Sequence, residues 1–232
     1  MTELDARAKV VDIAVSHLGQ KESDGTHRSI IDRYNAQKVL PRGYRVQYTD
    51  AWCATFVSAV ALESGFEKIM PTECSCPQMI ALYKALGRWV ENDAYTPKPG
   101  DIIMYDWQDS GFGDNNGTPD HVGIVVSSSG SGMKIIEGNI NNAVGYRSIP
   151  VNSRYIRGYC VPGYEMVSDD VVVEGCDTMY QKMENVPDWA VDTVKKLVNR
   201  GILRGDENGN LNLTSDMVRI LVILDRAGSF GQ

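Results

Sequence analysis

Cys53 stands where a nucleophilic residue would be expected. It follows Thr49-Asp50-Ala51-Trp52 and begins an apolar run with helical spacing, which predicts a helix from Asp50, as N-cap, to about Ser64. A thiol on the first turn of a helix lies near unpaired backbone N–H groups and the positive end of the helix dipole. That field favours the thiolate, which is the form that attacks a carbonyl carbon. The segment therefore predicts nucleophilic catalysis by cysteine.

His121 is the candidate base for this cysteine, because it opens a strand-like run and Glu137-Gly138-Asn139 closes the next one. If residues 127–132 form the hairpin tip, position 138 faces His121, and Glu137 lies within one residue of it. Opposed side chains of a sheet are about 5 Å apart, close enough for a carboxylate to hold an imidazole. Because strand side chains alternate with period two, Asn139 should share a face with Glu137.

These four residues fit the roles of nucleophilic catalysis. Cys53 would attack, His121 would take and return the proton, and Glu137 would orient the ring and stabilise imidazolium. Asn139 would hydrogen-bond the ring or the substrate, and the Cys53 backbone N–H is the candidate oxyanion donor. Alone, each residue has an ordinary alternative: a buried small residue, a strand-end histidine or a solvated turn. Only their combination favours catalysis.

Three aromatic residues are candidates for substrate binding. Trp52 either lines the groove or packs beneath the nucleophile, and Tyr48 either supplies a hydroxyl to the site or is an ordinary surface tyrosine. Trp107 stands beside an acidic loop, where its ring could stack on a sugar. His17 and His27 have no partner pattern and are predicted to be structural.

The sequence predicts no metal and no organic cofactor. One acidic loop precedes His121 and contains Asp106, Asp109, Asp114, Asn116 and Asp120. Within it Asp114, Asn116 and Asp120 leave a calcium loop open as an alternative to a solvated turn, although the downstream glutamate of an EF-hand is missing. Cys74-Ser75-Cys76 is too closely spaced for the usual zinc pair, and no second pair completes such a site.

The elements that must position these residues change in type along the chain. Helical spacing predicts helices at 4–18, 29–36, 50–64 and 77–86, and short β-branched and aromatic runs then predict strands at 101–106, 121–127, 133–137, 145–149 and 155–161. Helices followed by an antiparallel sheet indicate an α+β domain.

The chain divides into three predicted parts: a catalytic domain at 1–163, a linker at 164–185 with one strand at 171–173, and a helix-loop-helix module at 186–232. In the module a helix begins near Pro187 and ends at Gly201, and Thr214 caps a second helix that ends near Arg226. About 45 residues are marginal for independent stability. The module should therefore dock on the main domain or on another copy.

Composition excludes several classes of function. The 232 residues carry a net charge of −7 and no Lys/Arg cluster, so no nucleic-acid partner is expected. No apolar stretch approaches the roughly 20 residues of a membrane span. The amino terminus lacks a signal-peptide pattern, so we expect synthesis in the cytoplasm. Five scattered cysteines do not indicate a disulfide framework.

Four segments, in order, resemble the CHAP family of cysteine, histidine-dependent amidohydrolases and peptidases. They are Asp50-Ala51-Trp52-Cys53-Ala54-Thr55-Phe56-Val57-Ser58, Lys98-Pro99-Gly100-Asp101-Ile102, Asp120-His121-Val122-Gly123-Ile124-Val125 and Ile136-Glu137-Gly138-Asn139. The resemblance implies a papain-like fold, bacterial peptidoglycan as partner, and catalytic places for Cys53, His121, Glu137 and Asn139. The calcium site of some members, whose acidic ligands flank the nucleophile, looks absent, because Ala54 and Thr55 follow Cys53.

The resemblance leaves three functions open. The expected one is an N-acetylmuramoyl-L-alanine amidase serving as a phage or prophage endolysin, which acts on the wall after release. The others are an endopeptidase of the stem or cross-bridge, and a non-catalytic wall-binding protein. The tail resembles the carboxy-terminal segments of some phage-type amidases and, more loosely, surface-layer homology modules. Wall binding and homo-oligomerisation through this module are both expected possibilities.

Overall fold

The computed structural model describes residues 1–92, 94–108, 117–130, 132–168 and 179–230. It divides into two compact units, Met1–Asp170 and Val171–Gln232. The candidate catalytic residues all lie in the first unit. The α+β class predicted from the sequence, with amino-terminal helices and an antiparallel sheet, is confirmed.

Four helices begin the first unit: α1 (Glu3–Ser16), α2 (Arg28–Asn35), α3 (Cys53–Ser64) and α4 (Cys76–Ala85). A capping box between Thr2 and Asp5 starts α1. Gly65, in the left-handed region with φ 75°, ends α3. Ten of the twelve residues of α3 are buried, because α3 is the helix that the others and the sheet enclose.

Six antiparallel strands follow in the spatial order β1-β6-β2-β3-β4-β5. They are β1 (Trp89–Val90), β2 (Ile102–Tyr105), β3 (His121–Ser129), β4 (Gly132–Ile140), β5 (Ala143–Ile149) and β6 (Ile156–Cys160). The sequence did not predict β1, because two residues on a sheet edge are too few to show a period. Five of the six strands contain buried residues, and both residues of β1 are partly exposed.

The sheet separates two apolar clusters, because its strands alternate side chains between two faces. Ile102, Met104 and Ile124 join the large cluster that contains the helices. Ile103 and Tyr105 join the smaller one on the other face. The helix-facing cluster therefore anchors α3, and with it Cys53, against the sheet that carries His121.

The register between β3 and β4 corrects the prediction by one residue. Ile124 pairs with Ile136, but Ser129 pairs with Gly132 across a shorter tip than predicted, and an irregularity between Val125 and Ser127 changes the pairing. Continued from Ile124, the ladder sets Gly123 against Glu137 and leaves His121 diagonal to that carboxylate. A one-residue slip reverses the face of every side chain. The observed register is therefore the one that gives His121 and Glu137 the same face.

The second unit contains strands β7 (Met179–Tyr180) and β8 (Leu213–Thr214) and helices α5 (Asp188–Asn199) and α6 (Ser215–Arg226). The Thr214 hydroxyl accepts a hydrogen bond from Met217 N at 3.2 Å, as the predicted cap requires. Six buried residues form its own small core: Val186, Ala190, Val194, Leu213, Val218 and Val222.

The predicted linker at 164–185 is wrong at both ends. Tyr164 is fully buried in the first unit, and its hydroxyl donates to the Gly100 carbonyl at 2.7 Å. Met179 and Tyr180 pair with β8 in the second unit. The strand predicted at 171–173 lies outside the described residues. Within the described ranges, none of the helices combines the length and apolarity needed to cross a membrane.

Candidate active site

Cys53 is the first residue of α3, so the helix begins two residues later than an Asp50 cap would place it. Asp50 instead accepts hydrogen bonds from the Gln47 backbone N–H at 2.7 Å and the Tyr44 hydroxyl at 2.8 Å. Because the helix begins at Cys53 itself, we expect the helix start to stabilise the thiolate more strongly. The backbone N–H groups of the first turn have no helical partner, and they lie around the sulfur itself.

The Cys53 thiol is buried, with 6% of the residue exposed, and has two side-chain neighbours that affect its charge. Its Sγ lies 3.9 Å from Sγ of Cys76, and His121 is near enough to stabilise the charge of the thiolate. The contact with Cys76, together with His121 and the Ala54 backbone N–H, outweighs burial and lowers the pKa of Cys53 well below that of a free thiol. The site therefore favours the thiolate.

His121 links the thiol to a carboxylate. Its Nε2 lies 3.0 Å from Oε2 of Glu137, which leaves Nδ1 for Cys53. Burial alone would lower the pKa of His121, but the hydrogen bonds and negative charges of Cys53 and Glu137 outweigh it and raise the pKa to about 9. A thiolate and an imidazolium are thus the stable forms of this pair at neutral pH.

Glu137 is fully buried and receives a second positive partner, Arg147 of β5. Arg147 Nε lies 2.7 Å from Oε1 and 3.0 Å from Oε2. Burial alone would raise the pKa of Glu137, but the hydrogen bonds from His121 and Arg147 hold it below its usual range. The carboxylate therefore stays ionised, as a group that stabilises imidazolium must.

Arg147 is the functional candidate that sequence reasoning missed. Its guanidinium lies 4.6 Å from the ring centre of Trp107, and Tyr105 stacks on Trp107 at 4.7 Å. Tyr105 also stacks on His121 at 5.8 Å. One signal was available: Arg147 is two residues from Gly145, the direct partner of Glu137 on β5. Using it required the β4–β5 register.

Residues 43–139 match the family model of the CHAP domain. The chain contains a CHAP domain. This segment is less than half of the chain, yet it includes Cys53, His121, Glu137 and Asn139. A CHAP domain implies cysteine- and histidine-dependent amidohydrolase or peptidase activity, with peptidoglycan as the substrate. The comparisons with curated proteins and with solved structures found no match.

Asn139 follows Glu137 by two residues, but its backbone interrupts the predicted alternation of strand side chains. It has φ 60°, and the β4–β5 pairing is irregular between Glu137 and Ile140. Its Oδ1 is buried and has no hydrogen-bond partner among the described residues, and no hydrogen bond there joins it to His121. The oxygen of this amide is thus not engaged with the ring, and the role of Asn139 stays a prediction.

The three aromatic candidates have different surroundings. Trp52 is fully buried and donates its Nε1–H to Glu22 at 3.0 Å, which favours the packing alternative over a place in a substrate groove. Tyr48 is exposed, and its hydroxyl donates to Asp32 at 2.7 Å. Trp107 is half-buried, with its ring centre 6.3 Å from that of His121, and stays a candidate.

The acidic loop of the CHAP domain is only partly described. Asp114 and Asn116, with Asp109, lie outside the described residues, so the calcium alternative there stays a prediction. Asp120 accepts from the Trp107 backbone N–H at 3.2 Å, and Asp106 accepts from the Gln108 N–H at 3.0 Å. The part of the chain that the structure describes contains no group of three or more acidic, histidine or cysteine side chains placed to hold a metal.

Gly123 leaves the space that Glu137 occupies. A Cβ at this position would lie 2.7 Å from Cγ of Glu137 and 2.5 Å from Cγ2 of Ile135. We expect Gly123→Ala to lower the free energy of unfolding by about 1–3 kcal/mol, because both neighbours are in a packed sheet. Hydrolysis should also fall, since the carboxylate must shift. Urea denaturation and an activity assay measure the two effects.

Gly130→Ala is the matched control on the same hairpin, because a Cβ there meets nothing within 4 Å. It should change neither quantity. Equal stability of the two variants would show that Gly123 does not constrain the carboxylate.

Proposed function

We propose that the chain hydrolyses an amide bond of peptidoglycan with Cys53 as nucleophile, His121 as general base and acid, and Glu137 as the group that orients His121. The observation that carries this proposal is the position of His121, which lies 3.0 Å from Glu137 and near enough to Cys53 for each group to shift the pKa of the other. Nucleophile, base and orienting group in contact are the geometric signature of covalent acyl transfer.

The charges of the site support the following sequence of steps. The Cys53 thiolate attacks the carbonyl carbon, and the backbone N–H of Cys53 is placed to donate to the resulting oxyanion. His121 gives its proton to the leaving amine and so leaves a thioester. Water then attacks the thioester while His121 takes its proton, and expulsion of the thiolate restores the starting pair. Glu137 stabilises imidazolium in both halves.

We propose the bond between the glycan and the L-alanine of the stem peptide, which is the N-acetylmuramoyl-L-alanine amidase reaction. Digestion of purified wall followed by mass spectrometry tests it. An amidase releases sugar-free stem peptides with a new L-alanine amino terminus. Cut stems or cross-bridges that remain on the glycan would instead assign the chain as an endopeptidase. An intact wall would contradict both activities and favour a non-catalytic wall-binding protein.

We further propose that the protein serves as a phage or prophage endolysin, made in the cytoplasm and released to the wall. Peptidoglycan as substrate supports this proposal, because the enzyme must reach the wall to act. Expression of the chain in a bacterial cytoplasm, with and without a membrane-lesion protein, is the test. Lysis only in the presence of the lesion is expected, and lysis by the chain alone would contradict dependence on release.

The second unit is proposed to bind the wall or to join copies of the chain. An exposed apolar stripe on α6 supports a contact surface, with Met217, Ile220 and Ile223 each about half exposed or more. Removing residues 171–232 should weaken binding to purified sacculi about tenfold or more, or lower the oligomer mass, because one of two attachments is lost.

Co-sedimentation with sacculi and analytical ultracentrifugation measure these two outcomes. Hydrolysis of a soluble muropeptide is the control, since the first unit has a core of its own. The assignment of the second unit is wrong if wall binding and oligomer mass are both unaltered by the truncation.

A further inference from the structure

Cys53 has a second thiol beside it that the proposed hydrolysis does not require. The Sγ atoms of Cys53 and Cys76 lie 3.9 Å apart, and 6% of each residue is exposed. Each cysteine is the first residue of its helix, Cys53 of α3 and Cys76 of α4. Each sulfur of the pair is therefore carried by the first residue of a helix.

The two thiols differ in charge, which gives them different chemistry. The pKa of Cys53 is lowered by the contacts described above, whereas the hydrogen bond with Cys53, followed by burial, raises the pKa of Cys76 well above that of a free thiol. Peroxides oxidise thiolates and leave thiols largely unreacted. Cys53 is thus the sulfur that an oxidant attacks, and Cys76 is the nearby thiol that can react with the product.

We propose that Cys53 and Cys76 form an oxidative modification site, at which hydrogen peroxide converts the nucleophile into a reversible intramolecular disulfide. In the first step the Cys53 thiolate takes an oxygen atom from hydrogen peroxide, giving a sulfenic acid and hydroxide. In the second step Cys76 sulfur attacks the Cys53 sulfur, the S–O bond breaks, and the Cys76 proton leaves with the hydroxyl as water. Two thiols and one peroxide thus give one disulfide and two waters.

Formation of the disulfide requires a small movement of the two sulfur atoms. A disulfide needs sulfur atoms about 2 Å apart, so the Sγ atoms must approach each other by roughly 2 Å, which rotation of the two side chains largely supplies. A site that admits a peptide to Cys53 also admits peroxide, a far smaller molecule. A dithiol such as dithiothreitol returns both sulfurs to thiols and is itself oxidised to a cyclic disulfide.

The other described cysteines have different surroundings. Cys74 contacts Arg42 at 3.4 Å, and Cys160 is fully buried. Cys176 lies outside the described residues. Cys74 provides the matched control, because it is two residues from Cys76 and its contacts are with a different set of side chains.

The experiment treats the full-length protein with hydrogen peroxide and maps its thiols by mass spectrometry before and after dithiothreitol. We expect a peptide that links Cys53 to Cys76 and is lighter than the two free peptides by two hydrogen atoms, and we expect dithiothreitol to remove it. Hydrolysis should fall as the linked peptide rises and should return with reduction. Cys74→Ser should behave as the wild type.

Cys76→Ser removes the resolving thiol while keeping a small polar side chain. Oxidised Cys53 should then proceed to the sulfinic acid, heavier by two oxygen atoms, and dithiothreitol should not restore hydrolysis. Each variant is compared with its own untreated activity, and circular dichroism confirms that it is folded.

Three results would overturn the inference: no oxidation of Cys53, a disulfide that joins other cysteines, or full dithiothreitol recovery in Cys76→Ser. The loss of activity rests on the proposed role of Cys53, whereas the disulfide itself does not. A linked peptide in a protein without hydrolytic activity would therefore reject the proposed function and keep the modification site. Hydrolytic activity in a protein that forms no linked peptide would reject only the modification site.

Discussion

Cys53→Ala should lower kcat/KM for wall hydrolysis by at least about 10³-fold, because the step that forms the thioester has no substitute nucleophile. Binding to sacculi should be unchanged. The substitution removes a single sulfur atom from a buried position, so the fold should persist. The release of soluble wall fragments over time gives the rate, and co-sedimentation gives the binding.

Cys74→Ala is the matched control for the loss of a thiol, since Cys74 is half-buried and contacts Arg42 rather than His121. It should keep full hydrolysis. If Cys53→Ala also keeps full hydrolysis, Cys53 is not the nucleophile, and a non-catalytic role in wall binding becomes the better description.

Glu137→Gln should lower kcat about 10²-fold with little change in KM. Glutamine keeps the volume of the side chain and one acceptor oxygen, but it replaces the other oxygen by a donor and removes the charge that stabilises imidazolium. Without this charge the pKa of His121 must fall from about 9, because the coulombic attraction and hydrogen bond of Glu137 are among the causes that raise it. The alkaline limb of the pH–rate profile should therefore move to lower pH.

Glu63→Gln is the control for a general effect of removing a carboxylate from a histidine. Glu63 Oε2 lies 2.9 Å from Nε2 of His17, a similar pair that the proposed reaction does not use. This variant should keep both kcat and the alkaline limb. If the alkaline limb of the pH–rate profile does not move in Glu137→Gln, Glu137 has no part in the mechanism, even if the kcat of the variant is low.

The candidate catalytic residues were easier to predict from the sequence than their surroundings. Cys53 and His121 could be found because each marks the beginning of an element with clear periodicity, α3 or β3. The contact between His121 and Glu137 was harder to predict, because the assumed register placed position 138 against His121. The irregularity between Val125 and Ser127 set the true register. Such an irregularity depends on packing across several strands, which no local pattern records.

Contacts between distant elements were the part that the sequence could not supply. Arg147 reaches Glu137 because β5 pairs beside β4, and Cys76 reaches Cys53 because α4 packs near the start of α3. Both contacts join residues that are separated in the sequence, by 10 and 23 positions, and no spacing rule predicts them. The start of α3 was also missed, because Asp50 had hydrogen-bonding partners in the preceding turn that compete with a capping role.

The most direct test of the account is the rate at which iodoacetamide alkylates Cys53 as a function of pH, in the wild type and in His121→Ala. Only the thiolate is alkylated, so the midpoint of this profile reports the pKa of Cys53. The account predicts a wild-type midpoint well below the ordinary thiol value of about 8.5, and a rise towards that value in His121→Ala. A midpoint near 8.5 in both proteins would contradict this expectation.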